Sequence, residues 1–94
     1  MTNPNIDTVG NKRWYNQNGE LHREDGPAIE YTNGDKSWYQ NGKAHRLDGP
    51  ALESANGTRF YFINDRELTE DEWKVHPFRI KYVIQKNLKS ILND

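Results

Sequence analysis

Along most of the chain the apolar positions alternate with polar ones at the period of a β-strand, and only near the C-terminus does the spacing become helical. Ala28-Ile29-Glu30-Tyr31 and Ala51-Leu52-Glu53-Ser54 alternate residue by residue, as half-buried strands do. Three aromatic pairs, Trp14-Tyr15, Trp38-Tyr39 and Tyr61-Phe62, each precede a turn signal. Adjacent strand residues point to opposite faces, so Trp14, Trp38 and Tyr61 form one aromatic row and Tyr15, Tyr39 and Phe62 a second. Asn18-Gly19 and Asn41-Gly42 predict tight hairpins of type I′, with Asn64-Asp65 a weaker version. Asn33-Gly34 and Asn56-Gly57 turn the chain back between hairpins, and an antiparallel meander of about six short strands results.

The pattern repeats. His22 aligns with His45, Asp25-Gly26-Pro27-Ala28 with Asp48-Gly49-Pro50-Ala51, and Asn33-Gly34 with Asn56-Gly57, a period of 23. Trp14 and Trp38 lie 24 apart because the first turn carries one extra residue. A third, degenerate copy begins at Tyr61 and runs to Leu68, which makes about two and a half repeats over residues 12–68. In each Asp-Gly-Pro, Asp is expected to close an Asx turn, Gly to take an unusual φ and Pro to restart an extended segment.

Thr69-Glu70-Asp71-Glu72 is a capping box that opens a short helix carrying Trp73. Pro77 interrupts it and starts a second helix. There Ile80, Val83, Ile84, Leu88, Ile91 and Leu92 fall on one face. A sheet with aromatics on both faces needs cover on both, and this amphipathic helix is expected to close one of them. Residues 1–11 read as an N-terminal arm adding an edge strand near Ile6 to Val9, and 69–94 as a helical C-terminal segment of the same single domain. The class is α+β.

Composition narrows the function. At 94 residues the core is small, and 12% aromatics must supply most of it. With no cysteine, disulfide scaffolds and Cys-ligated metal centres are excluded. The first ten residues lack the apolar stretch of a signal peptide and no run approaches a membrane span, so a cytoplasmic protein with no membrane contact is expected. Residues 1–73 hold eight Lys/Arg against thirteen Asp/Glu, a net −5; residues 74–94 hold five against one, a net +4.

WYxNGxxHRxDGPA, followed by an alternating strand, an Asn-Gly turn and another aromatic pair, resembles a repeat family of bacteriophage and bacterial proteins loosely related to MORN-type β-hairpin repeats. The resemblance covers residues 12–75 and implies a hairpin array and a phage or prophage setting, hence the host cytoplasm. It assigns no catalytic residue.

His22 and His45, each with Asp three residues on, suggest a metal pair or general bases. Their recurrence in both copies favours structure, because a catalytic site needs one constellation rather than one per repeat; His76 reads as a helix-junction residue. No catalytic, metal or cofactor site is expected. The leading expectation is a non-enzymatic protein-binding module, and the resemblance implies a small phage protein that inhibits a host protein, in the manner of an anti-CRISPR. Its candidate partner-binding residues are Trp14, Tyr15, Trp38, Tyr39, Tyr61 and Phe62 on the sheet and Arg79, Lys81, Lys86 and Lys89 on the helix. The alternative is a nucleotide or nucleic-acid binder that uses the sheet aromatics for stacking together with the basic C-terminal helix, which the acidic repeats disfavour. A homodimer would cover a face the helix leaves open.

Overall fold

The computed structural model describes residues 3–92. Nine short strands precede two helices: β1 (Asn5–Ile6), β2 (Lys12–Arg13), β3 (Ile29–Glu30), β4 (Lys36–Ser37), β5 (Tyr39–Gln40), β6 (Lys43–Ala44), β7 (Leu52–Glu53), β8 (Arg59–Ile63), β9 (Arg66–Leu68), α1 (Glu70–Lys74) and α2 (Pro77–Leu92). The α+β antiparallel architecture is as the pattern predicts, with more and shorter strands. Seven form one sheet in the order β1-β2-β3-β4-β7-β8-β9, all antiparallel, and β5-β6 stands apart as its own hairpin. The edge strand of the arm is Asn5–Ile6, because Asp7 to Gly10 are spent on a turn.

Two kinds of turn alternate. Asn41-Gly42 and Asn64-Asp65 both hold two successive residues at positive φ, as a type I′ hairpin requires. Asn18-Gly19 does not: only Gly19 is left-handed there. The extra residue lengthens that loop, and Gly19 N–H donates to the Asn16 carbonyl while Asn16 N–H donates to that of Glu20. The Asn16 side chain accepts from the amides of Asn18 and Glu20 at 2.9 and 3.0 Å. The amides of this first turn are therefore satisfied within the turn itself.

Successive hairpins stack through the same bonds, shifted by 23 residues. Gly42 N–H donates to Leu21 and Asp65 N–H to Ala44, both at 2.8 Å. Arg23 N–H reaches the Tyr39 carbonyl at 3.3 Å, and Arg46 N–H that of Phe62 at 3.2 Å. The core is thin: Trp14, Ile29, Tyr61, Ile63 and Trp73 are buried with a few alanines, and no large side chain is fully enclosed among the described residues.

The C-terminal segment caps the last hairpin through α1 and the first turn of α2. The capping box forms as expected, with Glu72 N–H donating to Thr69 Oγ1 at 3.1 Å and Thr69 N–H to Glu72 Oε1 at 2.9 Å. It aims Trp73 onto Tyr61, ring centres 4.8 Å apart. One expectation is corrected here. The apolar stripe of α2 does not close a face of the sheet: Ile80, Ile84, Leu88 and Ile91 are all exposed. Of the stripe's described side chains only Val83 is half-buried, together with Arg79 and Tyr82, and residues 84–91 are exposed throughout. The Leu92 side chain lies outside the described residues.

Candidate partner-binding surface

The polar residues of the repeat are consumed by the fold. In each full copy an arginine lies over the preceding tryptophan, Arg23 on Trp14 at 3.8 Å and Arg46 on Trp38 at 3.7 Å. The guanidinium then reaches three acceptors. Arg46 Nε donates to Asp48 at 2.8 Å, and its Nη1 to the Pro50 carbonyl and to Glu53, both at 3.0 Å. Arg23 repeats this with Asp25, Pro27 and Glu30 at 2.9, 3.2 and 3.3 Å. The charge-assisted bonds and the cation over the indole fix one guanidinium plane between them. The Arg23 guanidinium holds the Asp25 carboxyl below its usual range.

This arrangement also corrects the reading of Asp-Gly-Pro. Neither glycine takes a positive φ. A Cβ on Gly49 would stand 2.7 Å from Arg46 Cζ, and one on Gly26 3.0 Å from Arg23 Cζ, so glycine is there to let the guanidinium approach. Asp ligates the arginine rather than closing its own turn.

The histidines join one repeat to the next. His22 Nδ1 accepts from Asn41 N–H at 3.0 Å, and His45 Nδ1 from Asn64 N–H at 3.1 Å. An accepting Nδ1 puts the proton of the neutral ring on Nε2. Burial, then the charge of His76, pushes the pKa of His45 down. Both histidines thus bond the turn of the next hairpin. His76 Nδ1 accepts from Phe78 N–H at 3.1 Å at the helix junction. Among the described residues no group of three or more His, Asp or Glu could hold a metal ion.

The third copy swaps chemistry to end the array. Gln40 Nε2 donates to the Arg23 carbonyl at 2.8 Å. Its counterpart is Ile63, which has no donor, and Trp73 Nε1 supplies the equivalent bond to the Arg46 carbonyl at 2.9 Å. Arg79 lies over Trp73 at 4.5 Å, extending the Tyr61–Trp73 stack by a cation.

The candidate residues therefore separate. Trp14 and Tyr61 are buried, while Tyr15, Trp38, Tyr39 and Phe62 are half-buried. Burial, then Tyr31 and Asp65 nearby, raises the Tyr39 pKa. Neither aromatic row is a free platform. Arg79 is half-buried on Trp73, and Lys81, Lys86 and Lys89 are exposed. They stand beside the apolar residues that periodicity assigned to the core, Ile80, Ile84, Leu88 and Ile91. A clue was present: with no acid in α2, no carboxylate could neutralise its lysines along the helix. No described ion pair joins α2 to the repeats.

Two grooves among the described residues open onto this surface. One of about 640 Å³ lies between the repeats over Trp38, Arg46 and Asp48, and Tyr82 of α2 reaches it. The other, about 560 Å³, lies over Trp14 and Tyr15. No described helix is long and apolar enough to cross a membrane. No family model, no curated protein and no solved structure matches the chain.

Proposed function

We propose that the protein is a non-enzymatic binding module whose target is another protein, and that α2 is the element it presents. The observation that carries this is the exposed stripe of Ile80, Ile84, Leu88 and Ile91 on a helix with four basic residues and no acid. An unpartnered apolar stripe of this kind marks an interaction site more often than a solvated surface. The histidines and the Asp-Gly-Pro elements are spent on stacking repeats, so they leave no nucleophile–base pair to build a reaction on. Nucleic-acid stacking loses ground for a similar reason, because arginines already cover Trp14 and Trp38.

The phage-type resemblance of the repeats points this module at a bacterial host protein, inhibited by occlusion, with a defence system as the specific case. Affinity capture from host lysate tests the reading against Ile84→Glu as bait. A protein retained by wild type and absent from the variant is expected. Identical recoveries from both baits, or none from either, would remove α2 as the binding element.

A further inference from the structure

The repeat array also has an unfilled place. The groove over Trp38 is bounded by the Arg23–Gly26 segment of the preceding repeat and by Tyr82 of α2. Its counterpart over Trp14 and Tyr15 has neither wall: it is lined by residues 14–17 and 22–25 alone, with no residue of another repeat or of α2. Its rim carries Glu24 and Asp25. The Glu24 side chain is 85% exposed and is approached only by His22 Nε2, at 3.7 Å.

We infer that α2 of a second copy occupies this groove, its Ile84 and Leu88 against the half-buried Tyr15 beside the Arg23-covered Trp14, and that the reciprocal contact makes a two-fold dimer. Charge selects the pairing. From residue 77 to 92 the helix has four bases and no acid, so two stripes laid on each other would set like charges together. The groove offers the missing acid: Lys81, exposed and one helical turn from Ile84, meets Glu24 at the rim, Asp25 beside it being held by Arg23. With a net charge of −1, whole copies barely repel. The same helix already lies against the equivalent groove of its own second repeat through Tyr82. A stable interface buries about 1,200–2,000 Å² in total, and a two-fold axis counts each helix–groove contact twice, so each contributes about half. Both apolar surfaces are covered at once and the assembly closes without propagating.

The dimer stands or falls independently of a host target, which would compete with the groove for the same helix. Light scattering on the full chain from about 10 µM to about 1 mM spans the affinity such a contact should have. Wild type is expected to rise from the 11.1 kDa monomer mass to twice that value. Leu88→Glu should stay monomeric with an unchanged circular dichroism spectrum and Tm, its side chain being exposed in the single chain. Glu24→Lys should weaken the dimer about tenfold, the scale of one lost charge pair, and Lys81→Glu in the same chain should restore it. Glu24→Lys leaves the stripe intact, so host-protein capture survives it while the dimer does not. A monomer at every concentration overturns the inference, as does a dimer indifferent to Glu24→Lys. A monomer that sediments with phosphatidylserine vesicles through the stripe also overturns it, by assigning the helix to a lipid surface.

Discussion

Arg46 and Arg79 each lie on a tryptophan, at 3.7 and 4.5 Å, yet they belong to regions built on opposite terms. Arg46 is 18% exposed, and its Nε and Nη1 find three acceptors. Arg79 makes one long bond, 3.3 Å to the Lys74 carbonyl, and its buried Nε has no partner. In the two full repeats the arginine over each tryptophan is paired, and Trp14 and Trp38 lie beneath it. In α2 no described ion pair holds Lys81, Lys86 or Lys89, and Ile80, Ile84, Leu88 and Ile91 are exposed. A chain this small stacks repeats by satisfying polar groups one for one, and what it leaves unsatisfied is gathered on one element. The array carries the stability and the helix carries the free surface.

The largest test of that division is Trp73→Ala. Trp73 is 4% exposed, stacks on Tyr61 and supplies the bond that closes the array on the Arg46 carbonyl. Its loss should cost about 3–5 kcal/mol in urea unfolding, with Trp73→Phe keeping the ring contact and losing about 1–2 kcal/mol for the orphaned carbonyl. Next comes the arginine pair itself. Arg46→Ala leaves Asp48, Glu53 and the Pro50 carbonyl without their donor and should cost about 2–4 kcal/mol; Arg46→Lys should recover little, lacking the planar fork. Arg79→Ala should cost about 1 kcal/mol or less. Equal losses at the two arginines would erase the distinction between the regions.

How much of this could be read in advance follows the same divide. The period of 23, the hairpins and the capping box are local and repeat themselves, so spacing alone reveals them. The clamp was missed although an arginine follows each tryptophan by eight or nine residues, because a turn residue beside glycine and proline reads as turn chemistry. Glycine's lack of a Cβ can be wanted for φ or for room, and only the position of Arg46 shows that here it is room. The α2 stripe was legible as a stripe; its destination was not. Periodicity marks which side of a helix is apolar without saying whether the same chain covers it.

A smaller effect bears on the repeat-to-repeat joint. His45 is held neutral, with its folded pKa below the ordinary value of 6.5, by burial and by His76. The unfolded chain therefore takes up a proton first as pH falls. The contribution is fully present above about pH 6.5 and is lost as pH drops from there toward the folded pKa. Carboxylates titrate near 4, so a decline in urea stability between pH 6.5 and 5 isolates the histidine. His45→Asn keeps an acceptor for the Asn64 amide and should flatten that decline. An unaltered slope in the variant would assign the pH dependence to another group.

The smallest effect is the most informative about α2. Leu88 is 53% exposed and lies in the stretch of helix, residues 84–91, that is exposed throughout. Leu88→Gln changes helix propensity by little and removes no buried contact, so unfolding of the dilute protein should shift by no more than about 0.5 kcal/mol. Most leucines on an apolar helical face cost about 2–5 kcal/mol when truncated, because they sit in a core. A loss above about 1.5 kcal/mol at Leu88 in the monomer would mean that the stripe is packed after all. A loss that appears only as protein concentration rises would place the packing between molecules, since stability that depends on association follows mass action.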